Sequence, residues 1–312
     1  MKRASHRHNY SGRPSNETTF LKRVAKILDT SEDDVKRLLI NHPFKTFRAN
    51  HLKPSTSYVS ELTKLDISTR PLSWYDAQIF NAEDTAKIQA STATQNGEIF
   101  IQNPSSFLPV IALEPSATDT ILDMCSAPGG KAIMIASLAG SAKNLTLCEP
   151  KADRVNKLQE VLELQGAGEA KIIQEDGRHL PQLLTTKFDK VLIDAECSTE
   201  AGTNFLSKDP LKGWSEERIL GLSVLQKQLI CAGYDLLKPG GVLVYSTCTF
   251  APEENEAVVA SLLERRPDAV LQPIQFRAER KIRKIKSWGG KSYPDIVSSG
   301  VLRIYPSDYM EG

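Results

Sequence analysis

No run of about 18 apolar residues occurs in this sequence, so nothing in it predicts a membrane-spanning helix. No C-x-x-C pair occurs either, and the five cysteines are scattered singly. That pattern argues against a zinc site and against a disulfide framework, and it suits a reducing cytoplasm. Both G-x-G-x-x-G and G-x-x-x-x-G-K-[ST] are missing, which makes ordinary dinucleotide-binding and P-loop readings poor. Internal repeats are absent. Net charge is only +1, so nucleic-acid binding, if any, must come from local patches. The N-terminus carries Lys2, Arg3, Arg7 and Arg13 but not the apolar stretch of a secretory signal. Residues 1–15 are expected to form a disordered basic tail.

What is present is a chain of 312 residues, 40% hydrophobic and 25% charged, enough for one large domain and a smaller one, or two of moderate size. Phe20, Leu21, Val24, Ile27 and Leu28 recur at helical spacing, and Ser31 with Asp34 reads as an N-cap ahead of a second helix ending before Pro43. Strands are expected around Phe47 and Ile79, with a helix over 57–65. Together these make a small helical and α+β module over 16–95. A strand at 98–102 and a helix after Pro104 lead into the main domain, taken as 96–312. There, strands at 120–124, 145–148, 171–174, 190–193 and 241–246 alternate with helical stretches that include 131–138, 152–164 and 219–237. Such alternation predicts an α/β fold with a doubly wound, mostly parallel sheet.

In such a sheet, chemistry gathers outside the carboxyl ends of the strands. After the first strand, Cys125-Ser126-Ala127-Pro128-Gly129-Gly130-Lys131 runs straight into a helix. Its glycines let a ligand approach the backbone, and the helix start offers free N–H groups, although two glycines in a strand–helix turn are also plain turn chemistry. Glu149 follows the second strand, where an acid can accept bonds from ribose hydroxyls. Asp176 follows the third, where an acid can meet an adenine amino group. Together they favour a nucleoside cofactor. Asp194 and Cys197 follow the fourth strand, and Cys248 follows the fifth, after Val242-Leu243-Val244. Cys148 and Cys231 read as small core residues, and Cys125 as lining the cofactor pocket.

At this point the chain resembles the Nop/Sun-type (Sun/Fmu-like) RNA cytosine-5 methyltransferases over roughly residues 20–312. The matches are Asp123-Met124-Cys125 with the glycine loop, and Ser246-Thr247-Cys248-Thr249 with Pro252-Glu253-Glu254-Asn255-Glu256. Arg48-Ala49-Asn50, Gln102-Asn103-Pro104-Ser105-Ser106 and Arg303-Ile304-Tyr305-Pro306 match as well. The resemblance implies a Rossmann-like methyltransferase domain that uses S-adenosylmethionine. The cofactor would be held by Cys125, Ser126, Ala127, Pro128, Gly129, Gly130 and Lys131, with Glu149 on the ribose, Asp176 on the adenine and Asp194 near the methionine end. Cys248 would be the nucleophile and Cys197 would assist release, while Lys131 and Asp194 contact the flipped cytosine. Two departures stand out. Glu196 takes the place of the family's usual Pro. The sequence also ends at Tyr309-Met310-Glu311-Gly312, where the family continues into an apolar strand, so either the sequence is truncated or the sheet lacks an edge strand.

The chemistry explains the residue types. Carbon 5 of cytosine is a poor nucleophile, and thiolate attack at carbon 6 turns the ring into an enamine-like one. The base must leave its stack to reach such a site, so single-stranded or locally opened RNA is expected. Arg277, Arg280, Lys281, Arg283, Lys284 and Lys286, followed by Trp288, form the densest basic stretch and are read as a phosphate-tracking segment. The expected substrate is ribosomal RNA, with transfer RNA as runner-up, acted on by a cytoplasmic monomer without metal or membrane. The rival readings are a non-catalytic RNA-binding assembly factor, and a methyltransferase for a small molecule or protein, which would have no use for paired cysteines.

Overall fold

The computed structural model describes residues 15–40, 43–274 and 284–307. The first fourteen residues, the chain end from residue 308, and Arg277, Arg280, Lys281 and Arg283 of the basic stretch lie outside the described residues.

Two helices open the chain, α1 (Asn16–Leu28) and α2 (Glu32–Leu38). Ser15 caps the first by accepting the Thr18 N–H, and Ser31 caps the second by accepting the Asp34 N–H, as its sequence predicts. A mixed segment follows: β1 (Phe44–Ala49), α3 (Ser57–Lys64), β2 (Thr69–Pro71), β3 (Ala77–Asn81), α4 (Thr85–Ala90), α5 (Thr92–Gln95) and β4 (Ile99–Ile101). Its four strands form an antiparallel sheet in the order β2-β3-β1-β4. Because β4 pairs with β1, this sheet extends past the division expected after residue 95. Three residues, Ile99-Phe100-Ile101, carry no periodicity that could say which sheet they join.

The main sheet is parallel, with β5 (Ile121–Asp123), β6 (Leu145–Cys148), β7 (Lys171–Ile173), β8 (Phe188–Asp194) and β9 (Leu237–Ser246) in the order β7-β6-β5-β8-β9. The helices along this part of the chain are α6 (Leu108–Leu113), α7 (Gly130–Ala139), α8 (Ala152–Leu164), α9 (Leu180–Leu183), α10 (Glu216–Asp235) and α11 (Glu256–Arg265). Alternate strand residues feed two cores. Ile121, Leu147 and Leu192 pack with α6, α7 and α8, whereas Leu122, Cys148, Val191 and Ile193 pack with α9, α10 and α11. A parallel sheet buried on both faces requires this apolar run.

Strand β9 begins earlier than its sequence implies. Leu237 pairs with Phe188 and Val242 with Lys190, so Lys238–Gly241 form a bulge within the pairing. The chain then adds β10 (Ser287–Trp288), β11 (Lys291–Ser292) and α12 (Asp295–Gly300). Helices α1 and α2 do not pack with the antiparallel sheet. Phe20, Val24 and Ile27 join Trp214, Phe250, Tyr293 and Tyr305 in a third core behind the end of β9. No helix among the described residues is long and apolar enough to cross a membrane.

Candidate active site

Strand order alone lines up the residues singled out in the sequence. Asp176 lies past β7, Glu149 directly after β6, Cys125 after β5, Asp194 and Cys197 at the end of β8, and Cys248 after β9. All six therefore share the carboxyl edge of one sheet, where open α/β sheets hold their ligands.

The glycine loop is tightly held. Gly129 has φ 111°, and a Cβ there would meet Leu158 Cδ1 at 3.0 Å. Across the loop, Arg48 of β1 donates from Nε to Gln102 Oε1 (3.0 Å) and from its terminal nitrogen to the Gly130 carbonyl (3.2 Å). Arg48 is 1% exposed, and burial brings its guanidinium down to about 10. Ser126 is spent internally: its hydroxyl donates to the Asp123 carbonyl (2.8 Å) and accepts the Cys148 N–H (3.1 Å). The Ala127–Pro128 peptide is cis.

The two outer carboxylates already have partners. Glu149 is buried, accepts the Lys151 N–H at 3.0 Å and pairs with Arg154 at 2.9 Å, while Arg154 also donates to the Ala127 carbonyl at 2.6 Å. Asp176 is gripped by Arg178 at 2.6 Å, which holds its carboxyl below the ordinary range.

At the centre, Lys131 Nζ meets Asp194 Oδ2 at 2.7 Å, and the Ser246 hydroxyl donates to Asp194 Oδ1 at 2.7 Å. Burial alone would lower the Lys131 ammonium. The adjacent Asp194 charge and hydrogen bond outweigh it, and the Lys131 pKa is raised. Asp123, buried just behind, accepts the Cys125 N–H at 3.2 Å, and burial pushes its carboxyl up to about 7.

The Cys197 and Cys248 sulfurs lie 3.2 Å apart. The Cys248 N–H donates to Cys197 Sγ at 3.3 Å, and with the Cys197 S–H turned to Cys248 Sγ the contact becomes reciprocal. That donated bond lowers the pKa of the Cys248 thiol and raises that of Cys197. Cys248 is exposed and Cys197 buried, so the accessible sulfur is also the one favoured as thiolate.

A sheet edge with a glycine loop, a Lys–Asp pair and two facing thiols invites comparison with known proteins. The family model described as "16S rRNA methyltransferase RsmB/F" matches residues 110–311. The chain belongs to the RsmB/F family. The ribosomal RNA small subunit methyltransferase F of Vibrio vulnificus is 32% identical over 298 residues, covering 93% of this chain. The chain spans 61% of that relative's length. The tRNA (cytosine(49)-C(5))-methyltransferase of Pyrococcus abyssi is 34% identical over 264 residues, covering 84% of this chain and 83% of that one. The crystal structure of NSun6 from Pyrococcus horikoshii with SFG shares the fold, with a TM-score of 0.74, 21% identity and 94% of both chains covered.

In this RsmB/F-family chain, several residues around the site carried no role in the sequence. Glu200 is fully buried, accepts from Trp214 Nε1 and Thr249 Oγ1 at 3.0 Å each, and lies 3.7 Å from Arg23 of α1. Arg303 pairs with buried Glu256 and donates to the Phe250 carbonyl at 2.9 Å, which tethers the Arg303–Pro306 motif to the segment after Cys248. Trp288 is not a free stacking platform. Its indole N–H donates to Glu253 at 2.9 Å, and Arg23 and Lys26 lie over its ring. Lys286, from the same stretch, is exposed and lies 3.3 Å from Asp295. Beside the Cys248 segment, whose Cys248 carbonyl accepts the Ala201 N–H at 3.2 Å, opens a groove of about 470 Å3. Lys45, Thr46, Asn103, Thr203 and Asn204 line it, with Phe44 and Pro104. No group of three or more potential metal-ligating side chains occurs among the described residues.

Proposed function

We propose that this chain transfers a methyl group from S-adenosylmethionine to carbon 5 of a cytosine in ribosomal RNA. The observation that carries the reading is the 3.2 Å approach of Cys197 and Cys248 beside the Lys131–Asp194 pair. Methylation at nitrogen or oxygen needs no thiol, and a binding module needs none of the four.

The residues at the carboxyl edge fit the cofactor by the chemistry of their donors and acceptors. The first N–H groups of α7 are free of helical partners, and Gly129 supplies the positive φ from which the helix starts. Glu149 has two of about four acceptor sites filled, by the Lys151 N–H and Arg154, which leaves two for ribose hydroxyls. When bound, S-adenosylmethionine supplies an electrophilic methyl group.

The protein's own groups do the rest. Cys248 attacks carbon 6 as thiolate, forming an S–C bond and pushing the ring electrons toward carbon 5 and nitrogen 3. The Lys131–Asp194 pair holds a proton on nitrogen and delivers it to the charge that develops at ring nitrogen 3. Once carbon 5 is methylated, its proton passes to solvent, the electrons of that C–H bond restore the C5–C6 double bond and expel Cys248 as thiolate, and ring nitrogen 3 returns its proton to Lys131. The Cys197 thiol, already donating to Cys248, stabilises that departing sulfur.

The groove between the N-terminal sheet and residues 201–204, whose Ala201 N–H is bonded to the Cys248 carbonyl, is a candidate track for RNA and supports reading the N-terminal sheet as an RNA contact. Five free cysteines fit a reducing cytoplasm, and one chain supplies every group named, consistent with a monomer. A transfer RNA substrate is the second reading, favoured by the Pyrococcus abyssi relative, 83% of which this chain covers. Labelled methyl transfer to ribosomal and transfer RNA, followed by bisulfite mapping, tests both. Label at cytosine 5 of ribosomal RNA supports the first reading, label in transfer RNA alone the second, and no transfer to either overturns the activity.

A further inference from the structure

Cys197 lies between two anchored neighbours, and both anchors run to one carboxylate. On one side, the Glu196 carbonyl accepts Gln226 Nε2 at 2.9 Å, and the same nitrogen donates to Glu254 Oε2 at 2.8 Å. On the other, the Ser198 N–H donates to Glu254 Oε2 at 3.0 Å and its hydroxyl donates to Glu254 Oε1. The Ser198 hydroxyl also lies 2.8 Å from Thr249 Oγ1, one residue past the nucleophile. Glu254 itself is fully buried, and the Tyr245 hydroxyl donates to its carbonyl at 2.7 Å, tying it to the end of β9. Three donors thus converge on the two oxygens of one buried side chain.

We infer that Glu254 is a positioning residue, fixing residues 196 and 198 so that the Cys197 thiol stays in donor reach of Cys248. The inference rests on the reading of Cys248 as nucleophile and adds how its reactivity is set. Cys248 faces Cys197, the Thr199 hydroxyl, the Asp194 carboxylate and the Lys131 ammonium. Asp194 opposes a thiolate there, Lys131 favours it, and the largest favourable contribution is the bond from Cys197. A slack Cys197 segment loses that bond while leaving Lys131 and Asp194 in place.

The test is the pH profile of iodoacetamide alkylation at Cys248, read by mass spectrometry of the Cys248 peptide. In Glu254→Ala the alkylation midpoint should rise toward that of Cys197→Ala, with about threefold slower reaction at pH 7 because the thiolate is the reactive form. Glu254→Gln should keep a midpoint near wild type. Its carbonyl can accept Ser198 N–H and Gln226, and its amide can donate to a Ser198 hydroxyl turned toward Thr249. Cys197→Ala/Glu254→Ala should shift no further than Cys197→Ala alone. If Glu254→Ala does not fold, Gln226→Leu loosens one anchor and should shift the midpoint in the same direction. An unmoved midpoint in Glu254→Ala or Gln226→Leu, or a further shift in the double variant, overturns the inference. Alkylation needs no methyl transfer, so failure here is separate from failure of the nucleophile reading, which methyl transfer by Cys248→Ala would reveal.

Discussion

Lys131 and Asp194 come from neighbouring strand ends, 63 positions apart in the chain, and meet at 2.7 Å beside the exposed Cys248. The pair sits at the opening of the site, with 16% and 34% of the two side chains exposed. Asp194→Asn keeps the shape and the bond from Ser246 but removes the charge that holds the Lys131 proton ready. Methyl transfer should fall about 10²- to 10⁴-fold, the range for a positioned acid–base group. KM for RNA should stay within about threefold. Steady-state kinetics with labelled cofactor measure both, and a rate within about fivefold of wild type would count against the pair's role.

Asp123 gives a prediction about pH. Its folded carboxyl is raised from 3.8 to about 7, chiefly by burial. A raised acid contributes stability below its unfolded value and loses it as pH rises through the folded one. Between roughly pH 4 and pH 7 the unfolded chain releases this proton and the folded chain keeps it, so the loss is complete only above pH 7. Asp123→Asn retains an oxygen for the Cys125 N–H and has no proton to lose. The thermal midpoint of the variant relative to wild type should therefore climb from pH 5 to pH 8. A constant difference across that range would show that Asp123 does not titrate there.

The contrast between Asp123 and the strands around it shows what a sequence displays. The parallel sheet was legible because β5, β6 and β8 are short apolar runs, each ending at a residue with chemistry, and α8 falls where its spacing puts it, at Ala152–Leu164. Cys125, Glu149, Asp176, Asp194, Cys197 and Cys248 follow from that topology alone. Glu254 stood in a quoted motif without a role, because its partners Ser198 and Gln226 lie 56 and 28 residues away. Arg23, which pairs with Glu253 across 230 positions, leaves no periodic trace at all. The surroundings of Trp288 were equally hidden, because its packing under Arg23 and Lys26 depends on a helix from the other end of the chain.

Glu196, the departure from the resemblance, turns out to have a modest anchor. Its carboxylate lies 3.8 Å from Lys151, with the two side chains 61% and 55% exposed, a pair worth about 0–1 kcal/mol. What fixes its backbone is the Gln226 bond to its carbonyl, a group that proline also possesses. Glu196→Pro should leave the methylation rate within about threefold and the thermal midpoint within a few degrees, an effect the size of one exposed ion pair. A tenfold or larger change in rate would mean that the Glu196 side chain has work beyond Lys151.

The two cysteines separate by what each leaves behind. Cys248 is exposed and Cys197 is buried 3.2 Å from it, so in the proposed mechanism Cys248 forms the bond to the base and Cys197 helps to break it. Cys248→Ala should abolish methylation, a loss beyond the roughly 10⁴-fold of a general acid–base group, because it removes the nucleophile of the proposed mechanism. Cofactor binding should stay near normal. Cys197→Ala keeps the attack and loses the donor that stabilises the departing sulfur, so a covalent protein–RNA species should accumulate when cofactor is present. It should survive a denaturing gel and vanish with RNase. Because Cys197 also lowers the Cys248 thiol, adduct formation in Cys197→Ala should be slower at pH 6 than at pH 8 by more than the wild-type reaction is. An adduct that persists in Cys248→Ala and disappears in Cys197→Ala would exchange the two roles and with them the order of bond making and breaking.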